Sequence, residues 1–355
     1  MPQKAVHNNY ITIAKALAMI FVVVWHSRGF YDVGIFVMFF AVPLFFFTSG
    51  FFYKIPQDNE GLKRYLMKRV KGLYFPYIKW GLFFLLLHNV FFYLHLYDSE
   101  FGYEGNTSQI YSLRNYGACL LDLVFKMTTH EPMLGAFWFI RTLFFATVFV
   151  SIFSYLVSKV ISVNKWWLFA VLSVLTLVAS YLKLNLPLVG KLDLLLFATV
   201  FFVSGWIYRD YECKKIGRWY VTAALFALTC GGLIHYRQVI AIQTCPFADI
   251  IPYFILAMCG IFFTMSLALL LEKTRARNIF YLVGNETLVI LALHFLCFKL
   301  VSLIKIWHYG YPIRQLAEFP VIETNNSVYW VFYTLVGVSI PVCLQQVRKR
   351  LSASL

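Results

Sequence analysis

The sequence predicts an all-α, polytopic membrane bundle of about ten transmembrane helices with both termini cytoplasmic, and three observations carry that prediction. Hydrophobic residues make up 61% and charged residues only 13% of the 355 positions, with a mean hydropathy of +0.71. A soluble domain of this length has no interior large enough for so much apolar surface. Apolar segments long enough to cross a bilayer recur near 11–27, 32–53, 73–97, 136–158, 166–182, 190–208, 219–235, 249–271, 279–304 and 328–347. The connections between them alternate in charge. One set carries Lys54, Lys63, Arg64, Lys68, Arg69 and Lys71; Lys159 and Lys165; Arg209, Lys214, Lys215 and Arg218; Lys273, Arg275 and Arg277; and Arg348, Lys349 and Arg350. The other set is poor in Lys and Arg, and its longest member, 98–135, holds Asp98, Glu100, Glu104, Asp122 and Glu131. The positive-inside rule makes the first set cytoplasmic, and an even number of spans agrees with that.

The same composition excludes other classes. A net charge of +15 would suggest nucleic acid in a soluble protein. Here the basic residues sit in loops, so the charge points to topology, anionic membrane lipid and an anionic substrate, with no nucleic-acid partner. The first apolar segment contains Lys15 and no small-residue cleavage site, so no cleavable signal peptide is expected. Seven Cys are scattered without a CxxC pair, which gives neither a metal site nor a disulfide framework. Cys119 and Cys245, placed on the same side, are the one pair left open to bridging. A single domain over 1–355 is expected, and a homo-oligomeric state is left open.

Taken in order, the first segment is the informative one. Lys15 and His26 lie in ITIAKALAMIFVVVWHS, a run otherwise suited to lipid. Eleven residues at ~100° each bring the two side chains to within ~20° of one helix face, ~16 Å apart along the axis. One reading has Lys15 snorkelling to headgroups and His26 at the opposite interface. Two ionisable groups on one stripe of a spanning helix favour the other, a polar interior with a task. The helix runs outward, so Lys15 is one turn in from the cytoplasm and His26 is near the external leaflet.

The spacing Lys15-x10-His26 resembles the (Arg/Lys)-x10-His signature of the acyltransferase-3 family of integral membrane O-acyltransferases. VPLFFFTSGFFYK (Val42–Lys54) resembles that family's second-helix ending on Ser-Gly. LMKRVKGLYFPYIKW (Leu66–Trp80) is similar to its basic segment closing on Pro-Tyr, FWFIRTLF (Phe137–Phe144) to its Trp-Phe-Leu element, and GNETLVILALHF (Gly284–Phe295) to a late helix running from Asn-(Ser/Thr) to a His. The matches come in the family's order over about 300 residues. Two departures stand out. Arg69 is followed three residues later by Gly72 where the family often has a second Arg, and Lys68 or Lys71 would replace its fork with point charges. No appended hydrolase-like domain is expected after the last helix, so the chain resembles the stand-alone form.

The resemblance implies a cytoplasmic acyl-CoA donor, acetyl-CoA being favoured, and an acceptor hydroxyl on a carbohydrate or glycolipid. Lys68, Arg69 and Lys71 would hold the donor's phosphates, with Lys15 extending that clamp along the pantetheine arm. The same basic run also reads as a plain topology signal. His26 is the candidate general base, since an imidazole titrates near neutrality; Asp32 is a weak candidate partner. Arg141, about one turn into the fourth span, would bind acceptor or stabilise charge on the thioester oxygen, or else snorkel outward. His294, mid-span in the ninth helix, is either a second functional His or an interhelical bond. Glu286 faces an adjacent sector, and His88 with Asn89 is expected to bridge helices. Asn106-Thr-Ser and Asn325-Asn-Ser have glycosylation spacing, whereas Asn326-Ser-Val does not. The favoured function is acyl transfer at a bacterial inner membrane. A transporter or exporter of a polar solute, which would show interrupted helices and an internal repeat, and a non-catalytic partner in polysaccharide assembly are the alternatives.

Overall fold

Helix α1 (Asn9–His26) is enclosed by other helices along most of its length. Ile13, Ala14, Ala16, Ala18 and Val23 are wholly buried at positions all round its axis, which marks a helix enclosed by others. The computed structural model describes residues 9–102, 107–236, 240–323 and 328–354. Glu104, Asn106, Asn325 and Asn326, and with them both sequons, lie outside the described residues.

After α1 come α2 (Tyr31–Met38), α3 (Ala41–Phe51), α4 (Asn59–Arg69), a π-turn (Val70–Tyr74), α5 (Phe75–Tyr93) and α6 (Leu113–Lys126). A 3₁₀ turn (Pro132–Phe137) leads into α7 (Trp138–Ser158), followed by α8 (Lys165–Tyr181) and a two-residue antiparallel ladder of β1 (Asn185–Leu186) with β2 (Gly190–Lys191). Then follow α9 (Leu192–Tyr208), α10 (Trp219–Tyr236), α11 (Ile250–Leu271), α12 (Arg277–Asn285), α13 (Thr287–Tyr309) and α14 (Tyr329–Ser354). Among the described residues, seven stretches are long and apolar enough to cross a membrane: Tyr31–Phe51, Asn59–Tyr93, Pro132–Ser158, Leu192–Tyr211, Phe247–Leu271, Thr287–Tyr309 and Tyr329–Ser352. The other three expected spans are the shorter apolar helices Tyr10–His26, Lys165–Tyr181 and Trp219–Gly232.

Four departures from the expected elements have local causes. The span expected at 32–53 is broken at Phe39–Phe40, between α2 and α3. Pro43 has no N–H to donate to the Phe39 carbonyl, and its ring crowds that carbonyl, so the new helix starts there. The basic run expected before the third span is itself helical and joined to that span through the π-turn, where the Phe75 N–H bonds the Val70 carbonyl. Pro76 removes the α-type bond to Gly72, and a wider turn takes its place. The ninth span divides at Glu286, whose backbone (φ −112°, ψ 17°) leaves the helical ladder. The long 98–135 connection contains α6, opened by a capping box in which Asn115 N–H donates to Ser112 Oγ and Ser112 N–H to Asn115 Oδ1.

Cross-helix contacts fix the directions. A Cβ on Gly284 would lie 2.2 Å from the Thr12 carbonyl oxygen, and Lys349 pairs with Glu286. The start of α1 and the end of α14 therefore share one end of the bundle with the α12–α13 break. At the opposite, distal end, Thr334 of α14 donates to Ser27 (3.1 Å), and Tyr333 bonds Ser302 of α13 (3.0 Å). So α1 and α12–α13 run parallel, with α14 antiparallel against both.

The tightest crossing joins α3 and α9. Phe47-Thr48-Ser49-Gly50-Phe51 meets Phe202-Val203-Ser204-Gly205-Trp206 reciprocally: a Cβ on Gly50 would lie 1.7 Å from the Phe202 oxygen, and one on Gly205 1.8 Å from the Phe47 oxygen. Between apolar helices in lipid, close backbone approach is the source of packing energy, and only glycine permits it here. Gly50→Ala should therefore destabilise the bundle by about 1–3 kcal/mol through overpacking, read as a lower Tm in detergent. Gly117→Ala, with nothing within 4 Å of the new Cβ, is the matched control and should leave Tm unchanged or raise it.

Candidate active site

The distal end of α1 meets the first third of α13, and this contact brings two of the expected residues together. The His26 and His294 rings lie 5.4 Å apart between centroids, tilted by 36°. His294 Nδ1–H donates to the carbonyls of Ile290 (3.0 Å) and Leu291 (2.9 Å) of its own helix. A carbonyl only accepts, so Nδ1 carries the proton, and in the neutral ring Nε2 holds the lone pair. That Nε2 is buried and has no hydrogen-bond partner among the described residues. A buried acceptor left unmatched is costly and is a mark of a working site. His26 is half-buried, and its ring makes no hydrogen bond among the described residues. Asp32 is exposed on α2 and makes no bond to it.

Aromatic rings enclose the pair. Phe295 lies 4.7 Å from His26 and 3.9 Å from His294, and Phe319 lies 4.6 Å from Phe295. Phe298 packs edge-on to His294 at 5.6 Å. Gly135, in the 3₁₀ turn before α7, sits against Phe319 and Phe295. Such a wall limits water and strengthens any charge interaction inside it.

The other expected residues are placed apart. Lys15 is half-buried on the same uninterrupted helix as His26 and makes no hydrogen bond or ion pair among the described residues. Arg69 turns inward: its guanidinium lies 4.6 Å over the Tyr65 ring, and its Nε is buried with no hydrogen-bond partner among the described residues. Lys68 and Lys71 turn outward with Arg64 and Met67 around an open hollow of about 540 Å³. The expected phosphate clamp is thus divided between two faces of one helix. Arg141 donates from a terminal nitrogen to the Leu188 carbonyl (2.8 Å) in the β1–β2 connection, and its Nε is buried with no hydrogen-bond partner among the described residues. It makes no hydrogen bond or ion pair with either His. Cys119 and Cys245 are both free thiols.

The model for the acyltransferase domain of acyltransferase-3 proteins matches residues 8–345. The chain belongs to the acyltransferase-3 family. It is an integral membrane acyltransferase, and the match takes in Lys15, His26, Lys68, Arg69, Lys71, Arg141 and His294. No curated protein and no solved structure matched.

Several structural groups of the acyltransferase were not anticipated from its sequence. Lys299 and Lys305, six residues apart in the apolar KLVSLIK of α13, are buried. Lys299 donates to the Glu318 carbonyl (2.7 Å) and Lys305 to the Ile322 carbonyl. They tie down the strap 311–323, which carries Phe319 to the histidines. Arg314 at the head of the strap grips Asp98 with two bonds of 2.9 and 2.8 Å. Burial pushes the Asp98 carboxyl up, but Arg314 and the Glu100 and Phe101 N–H groups outweigh it and hold it below the usual range. Two lysines in one span were the available signal; their partners, carbonyls of the strap 19 and 17 residues further on, were not readable because an irregular segment has no periodicity. His88 and Asn89 do not bridge two spans but fasten the 109–131 segment. His88 Nε2–H donates to the Gln109 carbonyl (2.9 Å), its Nδ1 lies 3.0 Å from the Glu131 carboxylate, and its ring stacks on Tyr111, while Asn89 exchanges two bonds with the Tyr111 backbone.

If Lys299 holds the strap, Lys299→Met should loosen it without emptying the core. Losing one bond from a charged donor costs ~1.5–3 kcal/mol, so hydrogen exchange at the 313–323 amides should speed up about 10- to 100-fold. Unchanged exchange there would leave the strap to Arg314 and Lys305 alone.

Proposed function

We propose that this acyltransferase moves an acyl group, acetyl being favoured, from cytoplasmic acyl-CoA to a hydroxyl of a carbohydrate or lipid-linked glycan on the other side of a bacterial inner membrane. The charge alternation supports putting the termini inside and the His26–His294 end outside. The observation that carries the reading is the histidine pair, with one buried nitrogen left as a bare acceptor. His26 is the general base. The acceptor hydroxyl attacks the thioester carbonyl carbon, His26 takes the hydroxyl proton, the C–S bond breaks, and the proton passes to the departing CoA sulfur. His294 orients the base. Two imidazoles joined by an N–H···N bond of ~3 Å have centroids a little over ~5 Å apart, close to the observed 5.4 Å. A small rotation of His26 lets it donate to His294 Nε2 and turn its own lone pair to the substrate.

On the donor side, Arg69 is the phosphate-binding residue we favour, since its Nε is buried and has no hydrogen-bond partner among the described residues. Lys68 and Lys71 face outward and supply field rather than contact. Lys15, ~16 Å inward of His26 along α1, marks the path of the pantetheine arm, and acyl-CoA is the partner that such a stripe suits. Arg141, fastened to the β1–β2 connection, acts on the acceptor side. The helix breaks at Phe39–Phe40 and Glu286 are what a transporter would require. Pro43 and the Glu286–Lys349 pair account for them locally, and the helix carrying Lys15 and His26 is continuous.

His26→Gln keeps polarity and approximate size but removes basicity. It should slow acyl transfer from acetyl-CoA by about 10²- to 10⁴-fold with the fold intact; near wild-type turnover would move the base elsewhere. Arg69→Ala should raise the KM for acetyl-CoA more than it lowers kcat. An unchanged donor KM would reduce the basic run to a topology signal.

A further inference from the structure

The outer face of the long helix formed by α4, the π-turn and α5 changes character along its length. Arg64, Lys68 and Lys71 are exposed on its first part. Positions i, i+4 and i+7 fall within ~60° of one line on a helix, so the three cations form a stripe. From Phe75 onward the exposed side chains are mainly apolar, with Phe75, Phe83, Leu86, Val90 and Leu94 all large and uncovered. The 75–94 stretch is ~28 Å long at ~1.5 Å per residue, close to the ~30 Å of a bilayer's hydrocarbon. Lys79, exposed one turn into that stretch, has a stem long enough to reach back to its end. The change at Phe75 therefore puts the basic stripe at headgroup level.

The stripe surrounds the open hollow of about 540 Å³, whose lining is Arg64, Met67, Lys68, Lys71 and Gly72. No carboxylate belongs to that lining, and none of the three cations makes a hydrogen bond or ion pair among the described residues. Three like charges round one space repel one another, and an anion between them turns that repulsion into attraction. Gly72 leaves bare backbone in the hollow: a Cβ added there meets nothing within 4 Å. Met67 adds an apolar contact beside the charges. Arg69 takes no part, since its guanidinium lies over the Tyr65 ring on another face.

We propose that this hollow binds the headgroup of an anionic phospholipid, its phosphodiester among Arg64, Lys68 and Lys71 and its acyl chains along Phe75, Phe83 and Leu86. The arginine fork suits two phosphate oxygens, and the lysines supply point charges around them. A zwitterionic lipid brings a cation of its own into a space that already holds three. A coenzyme A phosphate or free phosphate shares the anionic chemistry, but neither covers the apolar face that continues from the hollow. A diacyl lipid matches both parts of the surface at once. The charge alternation puts the site in the cytoplasmic leaflet. The assignment is independent of which residue acts as the base in acyl transfer.

The test is native mass spectrometry of the full chain in a neutral detergent, titrated with dioleoylphosphatidylglycerol or dioleoylphosphatidylcholine. One phosphatidylglycerol should bind about tenfold or more tightly than phosphatidylcholine. The double variant Lys68→Gln, Lys71→Gln, changed only at exposed side chains, should lose that preference. Gly72→Leu separates a site from a diffuse field, because it keeps every charge and fills the hollow, with nothing within 4 Å of its Cβ. It should weaken phosphatidylglycerol about tenfold. Equal binding of the two lipids by the wild type, a preference that survives the double variant, or undiminished binding in Gly72→Leu overturns the proposal. Excess coenzyme A and excess inorganic phosphate are added in separate arms, and the bound lipid should persist in both. Displacement by coenzyme A would give the hollow to the donor, and displacement by phosphate to a free anion; either overturns the lipid assignment.

Discussion

A ring nitrogen that donates to two carbonyls of its own helix is no longer free to act as a base. His294 is in that position through Nδ1, and the consequence falls on its other nitrogen. Nε2 is left as an acceptor in a wall of Phe295 and Phe298, with no hydrogen-bond partner among the described residues. In hydrocarbon an unsatisfied polar atom has no water to fall back on. The geometry persists because the rest of the bundle imposes it: α1 enclosed on all sides, α13 parallel to it, and α14 locked across both by Ser27–Thr334 at one end and Glu286–Lys349 at the other.

The same economy runs through the distal end. Two buried lysines would be expensive without partners, yet each finds a backbone carbonyl of the strap. The strap positions Phe319 beside Phe295 and forms one wall of a cavity of about 1000 Å³ over the end of α1. Fastening, ring packing and cavity shape are thus one mechanical unit. A change at Lys299 or Asp98 reaches the histidines through Phe319 rather than through charge.

Much of this was legible in the chain and some was not, for identifiable reasons. Membrane class and the position of each apolar helix follow from hydropathy, a local property. The Lys15–His26 stripe was readable because both residues are on one continuous helix, where spacing alone sets the face. Ser49-Gly50 was recognisable as a motif, but its task, letting α3 touch the Ser204-Gly205 turn of α9, exists only between two helices. The breaks at Phe39–Phe40 and Glu286 were missed because the hydrophobic runs continue through them; Pro43 and Glu286 were the signs. Arg69 and Lys68 looked alike as charges and were separated by one helical step of ~100°. His26 meeting His294 is a contact between opposite ends of the chain, and periodicity carries no information about it.

If the two histidines work as one unit, their losses should not multiply. The most direct measurement is therefore a double-mutant cycle on acyl transfer from acetyl-CoA, comparing the wild type with His26→Gln, His294→Gln and the combined variant under identical lipid and salt. The expected result is that the combined variant is no slower than His26→Gln alone, within about threefold, because orienting a base that is absent has no value. Rate losses that multiply, or a His294→Gln variant as fast as the wild type, would contradict a base at His26 oriented by His294.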